Sequence, residues 1–153
     1  MEEIIKKYRP ISLGYNCFVK KYLDHLVGSR ETDMFDWIGT SMWSINMMFS
    51  HDFQGLFDKD MYKPMKILKE EDTETLTHRD YYTRVRHDKD LEVHIAKQQR
   101  RLGRLNSLLS EQKTKILFIR LEEYLGDRIM YPQYRGYYRC SELAHLRYFI
   151  DTL

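Results

Sequence analysis

Apolar and polar residues change their spacing several times along the chain, and each change marks an element. Residues 11–13, "ISL", form a short apolar run closed by Gly14, which reads as a strand entering a turn. From Asn16 to Leu26 the apolar positions Phe18, Tyr22 and Leu26 fall four apart, with Val19 and Leu23 between them, and that spacing predicts a helix. Asn16 is placed to cap it, because its side-chain oxygen can accept from a free amide of the first turn, and Gly28 is placed to end it. An irregular aromatic stretch, "TDMFDWIGT", leads into a second helix from Ser41 with Trp43, Met47 and Met48 as its apolar positions. Residues 51–74 are polar and charged, and read as loop and short turns with few core positions.

In "RDYYTRVRHD" the period drops to two, so Tyr81, Thr83, Val85 and His87 share one strand face. A long helix follows from Leu91 to Leu109, with Ile95, Leu102, Leu105 and Leu109 on one stripe and Arg100, Arg101 and Arg104 beside it. The run Ile116 to Ile119 predicts a strand covered on both faces. A last helix is expected from a Ser141 cap through Leu143, Leu146, Phe149 and Ile150. This order predicts an α/β fold: a short, mostly parallel sheet flanked by helices, in a single layered domain over residues 1–153. The pattern stops at a helix where an α/β unit ordinarily runs on into a strand, so a further C-terminal element is expected.

Composition narrows the function classes. Charge is nearly balanced, 25 Lys and Arg against 23 acids for a net +2, which gives no reason to expect nucleic acid or an anionic membrane as partner. The start "MEEIIKKYRP" has no signal-peptide core and the apolar runs are too short to span a bilayer, so a cytoplasmic location is expected. Cys17 and Cys140 show no metal-ligand spacing, so neither a structural zinc nor any cofactor is expected. Tyrosine and arginine interleave in "YPQYRGYYR", which covers a core edge or holds a partner.

The chemistry points to Cys17. It opens a helix after a strand and a glycine turn, at the carboxyl end of a strand, where open sheets place ligands. Free amides and the positive end of a helix dipole favour a thiolate and supply oxyanion donors, and Gly14 leaves room for a substrate. The other reading is a small hydrophobe packed between strand and helix. A thiol nucleophile needs a base, and six histidines are present. His25 and His145 lie on predicted helices. His94 sits in an arginine-rich helix start, where protonation is unfavourable. His51 and His87 precede aspartates, but only His87 continues an alternating strand face, and His78 is the fallback. Asp36, Asp80 and Asp88 are candidates to orient a base. Asp36, between Phe35 and Trp37, reads equally as a loop staple.

Several motifs in order, "ISLGYNC", "FDWIGTS", "HDFQGLFD", "RDYYTRVRHD" and "QQRRLGRLNSLLSEQKTKILFIR", resemble a family of microbial and viral proteins named as papain-like cysteine peptidases. The resemblance spans residues 10 to 120. Two positions differ from its pattern: Lys89 follows the HD pair, and Gln98 and Gln99 stand where a tyrosine is usual. The resemblance implies a Cys17–His87 pair with Asp36 or Asp88 as orienting group, and an α+β papain-like fold as the alternative architecture. The expected activity is a cysteine-dependent hydrolase or acyl transferase acting on a peptide or acyl compound. Gly14, Asn16, Trp37, Asp88 and Arg120 are expected around the substrate. The alternative is a non-catalytic binding module that uses Arg135, Tyr137, Tyr138 and Arg139 to hold a protein or glycan.

Overall fold

A computed structural model describes residues 7–14, 17–28, 30–64, 75–85, 88, 90–111, 113–120 and 142–152. The elements are β1 (Arg9–Ser12), α1 (Cys17–Val27), β2 (Ile38–Gly39), α2 (Met42–Ser50), β3 (Tyr62–Pro64), β4 (Leu76–His78), β5 (Arg84–Val85), α3 (Leu91–Ser110), β6 (Ile116–Ile119) and α4 (Glu142–Thr152). The expected Asn16 and Ser141 caps, Cys140 and the aromatic run at 131–139 lie outside the described residues.

The mixed α/β character holds, but the mostly parallel sheet does not. β1 and β6 form a two-stranded parallel pair, with Ile11 opposite Phe118 and Ser12 opposite Ile119. The larger sheet has four strands in the order β2-β5-β4-β3, all antiparallel. Its strands run only two or three residues each, too short for a repeat of apolar and polar positions to reveal them.

Local chemistry sets the helix starts. Ser41 caps α2 by accepting from the Ser44 amide, and Asp90 caps α3 by accepting from the amides of Glu92 and Val93. One core joins both sheets with α2, α3 and α4: Ile11, Leu13, Phe35, Ile38, Ile45, Met48, Phe53, Tyr81, Leu105 and Phe149 are all buried in it. α4 docks on α2, where Asn46 Nδ2 donates to the His145 carbonyl at 2.9 Å. Phe149 meets Phe49 and Phe118 edge-on, with ring centroids 5.1 and 5.3 Å apart.

Several side chains fall elsewhere than their spacing predicted. Phe53 and Leu56 are buried although the segment reads as polar. The cause is a left-handed pair, Asp52 at φ 49° and Phe53 at φ 56°, which folds the chain back against the core. Leu109 and Ile150 are exposed. β6 is half-buried at every position rather than covered on both faces, since β1 is its one described sheet neighbour. Tyr81, Thr83 and Val85 are buried as the alternation predicts, although only Arg84–Val85 is strand.

Gly14 and Gly28 both adopt positive φ, 74° and 81°, and differ in their surroundings. A Cβ on Gly14 would lie 2.2 Å from Thr40 Oγ1, whereas one on Gly28 would meet nothing. Gly28→Ala is expected to cost about 1–2 kcal/mol from backbone conformation alone. Gly14→Ala is expected to cost at least about 3 kcal/mol, because Thr40 must also move. Urea midpoints of the two variants compare the costs directly, and equal losses would contradict the Thr40 contact.

Candidate active site

The turn after β1 is fixed from three sides. Ser12 Oγ accepts from the Gly14 amide at 3.0 Å, and the Leu13 amide donates to the Ile119 carbonyl at 2.8 Å. The Leu13 carbonyl accepts from Arg120 Nη1 at 2.8 Å and from Thr40 Oγ1 at 3.3 Å, while Arg120 Nη2 donates to the Thr40 carbonyl at 3.0 Å. Arg120, expected at the substrate, thus directs both terminal nitrogens at backbone carbonyls left over at strand ends. The space where a Cβ on Gly14 would lie holds the Thr40 hydroxyl.

Cys17 is the first residue of α1, a half-buried free thiol, and the first turn of that helix carries no acid. Asn16, expected beside it, lies outside the described residues.

Asp36 is fully buried and staples its own loop. One oxygen accepts from the Asp33 amide at 2.8 Å and the other from Arg30 Nη2 at 3.0 Å. Arg30 also grips Asp33, which Arg9 Nη2 reaches at 2.8 Å. Burial pushes the Asp33 carboxyl up, and outweighs the opposing pull of Arg9 and Arg30. Arg104 closes the loop from α3 by donating to the Thr32 carbonyl at 2.6 Å. Next to Asp36, Trp37 is half-buried at φ 66°, a conformation costly for a bulky residue.

Of the candidate bases, His87 lies outside the described residues. Its neighbour Asp88 is held on α3: Lys97 Nζ contacts one oxygen, and His94 Nδ1 lies 3.0 Å from the other. Burial pushes the Asp88 carboxyl up, but the bonds from Lys97 and His94 outweigh it and hold it below its ordinary value. Burial pushes the His94 imidazole down, against the opposing pull of Asp88. A neutral ring beside an ionised carboxylate donates through Nδ1–H and carries its lone pair on Nε2. The basic sequence neighbours of His94 conceal this carboxylate partner. The signal was the Asp90 cap between the two residues, since a chain entering a helix runs back beside the first turn.

His78, the fallback, has both nitrogens engaged by the fold. Nε2 lies 3.1 Å from the Gly55 carbonyl, and Nδ1 accepts from the amides of Asp80 and Tyr81, each at 3.2 Å. Burial pushes its imidazole below the ordinary value, as the accepting Nδ1 requires. His25 and His51 are exposed. Among the described residues no group of three or more His, Cys, Asp or Glu side chains is arranged to hold a metal ion, and no helix is long and apolar enough to cross a membrane.

The family model described as "Putative papain-like cysteine peptidase (DUF1796)" matches residues 8–124, about three quarters of the chain. The chain belongs to that family. No curated protein and no solved structure matches it. For this family member the matched stretch runs from just before β1 to just past β6, and contains Cys17, Asp36, Asp88 and His94. α4 follows the matched stretch.

The buried, neutral histidines set a pH dependence. For His78 and His94 the folded value lies below the unfolded one, so their contribution is complete above about pH 6.5 and shrinks as pH falls below it. The urea midpoint is therefore expected to fall between pH 7.5 and 5.5. His78→Asn, which keeps an acceptor for the Asp80 and Tyr81 amides, is expected to lose about 1–2 kcal/mol at pH 7.5 and to show a shallower decline. A decline as steep as that of the wild type would exclude His78 as a source.

Proposed function

We propose that the protein is a cysteine-dependent hydrolase of peptide or other acyl bonds, with Cys17 as nucleophile and His87 as base. The observation that carries this reading is the position of Cys17: first residue of α1, half-buried, behind a turn that Thr40 and Arg120 fix. Family membership supports the choice of chemistry.

In this mechanism the Cys17 sulfur gives its proton to His87 and attacks the acyl carbon. The carbonyl oxygen takes the electron pair and is held by backbone amides at the start of α1. Collapse of the intermediate expels the amine, which takes the proton from His87 and leaves a thioester. Water, deprotonated by the same imidazole, then releases the acid and restores the thiol. Asp36 steadies the imidazolium, because each carboxylate oxygen can accept more than the one bond it receives within the loop.

The Asp88–His94 pair favours a second assignment of the base, since its imidazole is neutral and held by a carboxylate. Iodoacetamide labelling of Cys17, followed by peptide mapping from pH 5 to 9, tests both. Cys17 is expected to label at least about 10-fold faster than a model thiol near pH 6.5. His87→Asn is expected to remove that advantage while His94→Gln preserves it. The opposite pattern assigns the base to His94. A Cys17 no faster than the model thiol at every pH rejects the enzyme reading in favour of a binding module.

A further inference from the structure

The inner face of α3 carries polar groups that the proposed mechanism does not use. Gln98 follows His94 by four positions and precedes Arg101 by three, so the three side chains share one face of the helix. Gln98 is 2% exposed, yet neither Nε2 nor Oε1 has a hydrogen-bond partner. Arg30 and Asn46 each leave one buried atom unmatched while bonding through others, and Thr77 leaves a hydroxyl. Among the described residues Gln98 is the side chain whose whole amide group is unmatched. Such a group calls for a polar guest.

Arg101 supplies the second half. It is half-buried and lies within the electrostatic reach of both Asp88 and Asp36. Those carboxylates already have direct cationic partners, Lys97 for Asp88 and Arg30 for Asp36. Arg101 itself makes no hydrogen bond or ion pair with the described residues, so its charge is available. On the side toward Cys17, the Phe35 carbonyl lies 3.3 Å from the Cβ position of Gly14, and Asp36, next to Phe35, interacts electrostatically with Arg101.

We infer that Gln98 and Arg101 form a substrate-binding pair for a peptide group with a carboxylate beside it. The Gln98 amide donates to the peptide carbonyl and accepts from the peptide N–H, and the Arg101 guanidinium holds the carboxylate through parallel N–H bonds. The carboxylate is either a chain end or the side chain of an acidic residue. The inference rests on the cysteine-hydrolase reading for its placement near Cys17, and binding tests it apart from turnover.

The experiment uses the full chain with Cys17→Ala and three pools of N-acetylated tripeptides: free C-terminus with neutral side chains, amidated C-terminus with neutral side chains, and amidated C-terminus with a final Asp or Glu. Thermal unfolding is followed as each pool is titrated. At least one carboxylate-bearing pool is expected to raise the unfolding temperature at concentrations about 10-fold lower than the neutral amidated pool. A response to the free-terminus pool alone assigns a chain end, and one to the acidic pool alone assigns a side chain. Gln98→Leu and Arg101→Gln are each expected to weaken that response about 10-fold. Gln98→Leu without peptide is expected to unfold no earlier than its parent, since it removes an unmatched polar group. Equal response to the neutral pool, no response to any pool, or an unchanged response in Gln98→Leu would overturn the inference. An unreactive Cys17 with carboxylate-selective binding would instead reject the hydrolase reading and leave the binding pair standing.

Discussion

The guanidinium of Arg120 meets the ends of three strands. It follows β6 and bonds the carbonyl of Leu13 after β1 and that of Thr40 after β2, so it joins the parallel pair to the antiparallel sheet. Those carbonyls have left their ladders, and a buried carbonyl without a donor costs about 1–3 kcal/mol. One planar fork satisfies both, which a lysine, with its single ammonium on a flexible stem, does less well. The turn that delivers Cys17 to the start of α1 hangs from this bond pair. Its stiffness comes from hydrogen bonds at strand ends more than from the short strands themselves.

A second anchor is the loop between α1 and β2. Arg30 bonds Asp33 and Asp36, Arg9 reaches Asp33 from β1, and Arg104 reaches Thr32 from α3. Buried ion pairs of this kind add little net stability against well-packed apolar residues, but losing one partner strands a charge and is costly. Such a network fixes where the Phe35-Asp36-Trp37 segment lies, and the left-handed backbone at Trp37 persists because its surroundings hold it.

The sequence made the helices and the two longer strands legible because each runs through enough residues to show its period. Cys17–Val27 and Leu91–Ser110 lie where the apolar spacing predicts helices, although Phe18, Tyr22 and Leu109 of the expected stripes are exposed. β1 and β6 were legible as apolar runs, and their alternation with helices suggested a larger parallel sheet than the single pair they form. The two- and three-residue strands of the antiparallel sheet are set by contacts across the fold, and nothing local announces them. At the candidate site the motif order picked out Cys17, Asp36 and Asp88. It did not tell which side chains the fold itself would engage: Arg120 on carbonyls, Asp36 through one bond to each oxygen in its loop, His78 on the turn at Tyr81. Nor did it show His94 against Asp88 or the unmatched amide of Gln98, since burial of a polar side chain leaves no mark on its own residue type.

Phe149 is 1% exposed and sits edge-on between Phe49 and Phe118, although α4 follows the stretch shared with the family. The recognisable sequence and the cooperative folding unit therefore have different boundaries. Cutting the chain at residue 124 would keep every family motif and yet strip the cover from an aromatic cluster, baring apolar surface of the kind that drives self-association. What is inherited as a motif and what must fold together are distinct quantities here, and among the described residues the difference is α4.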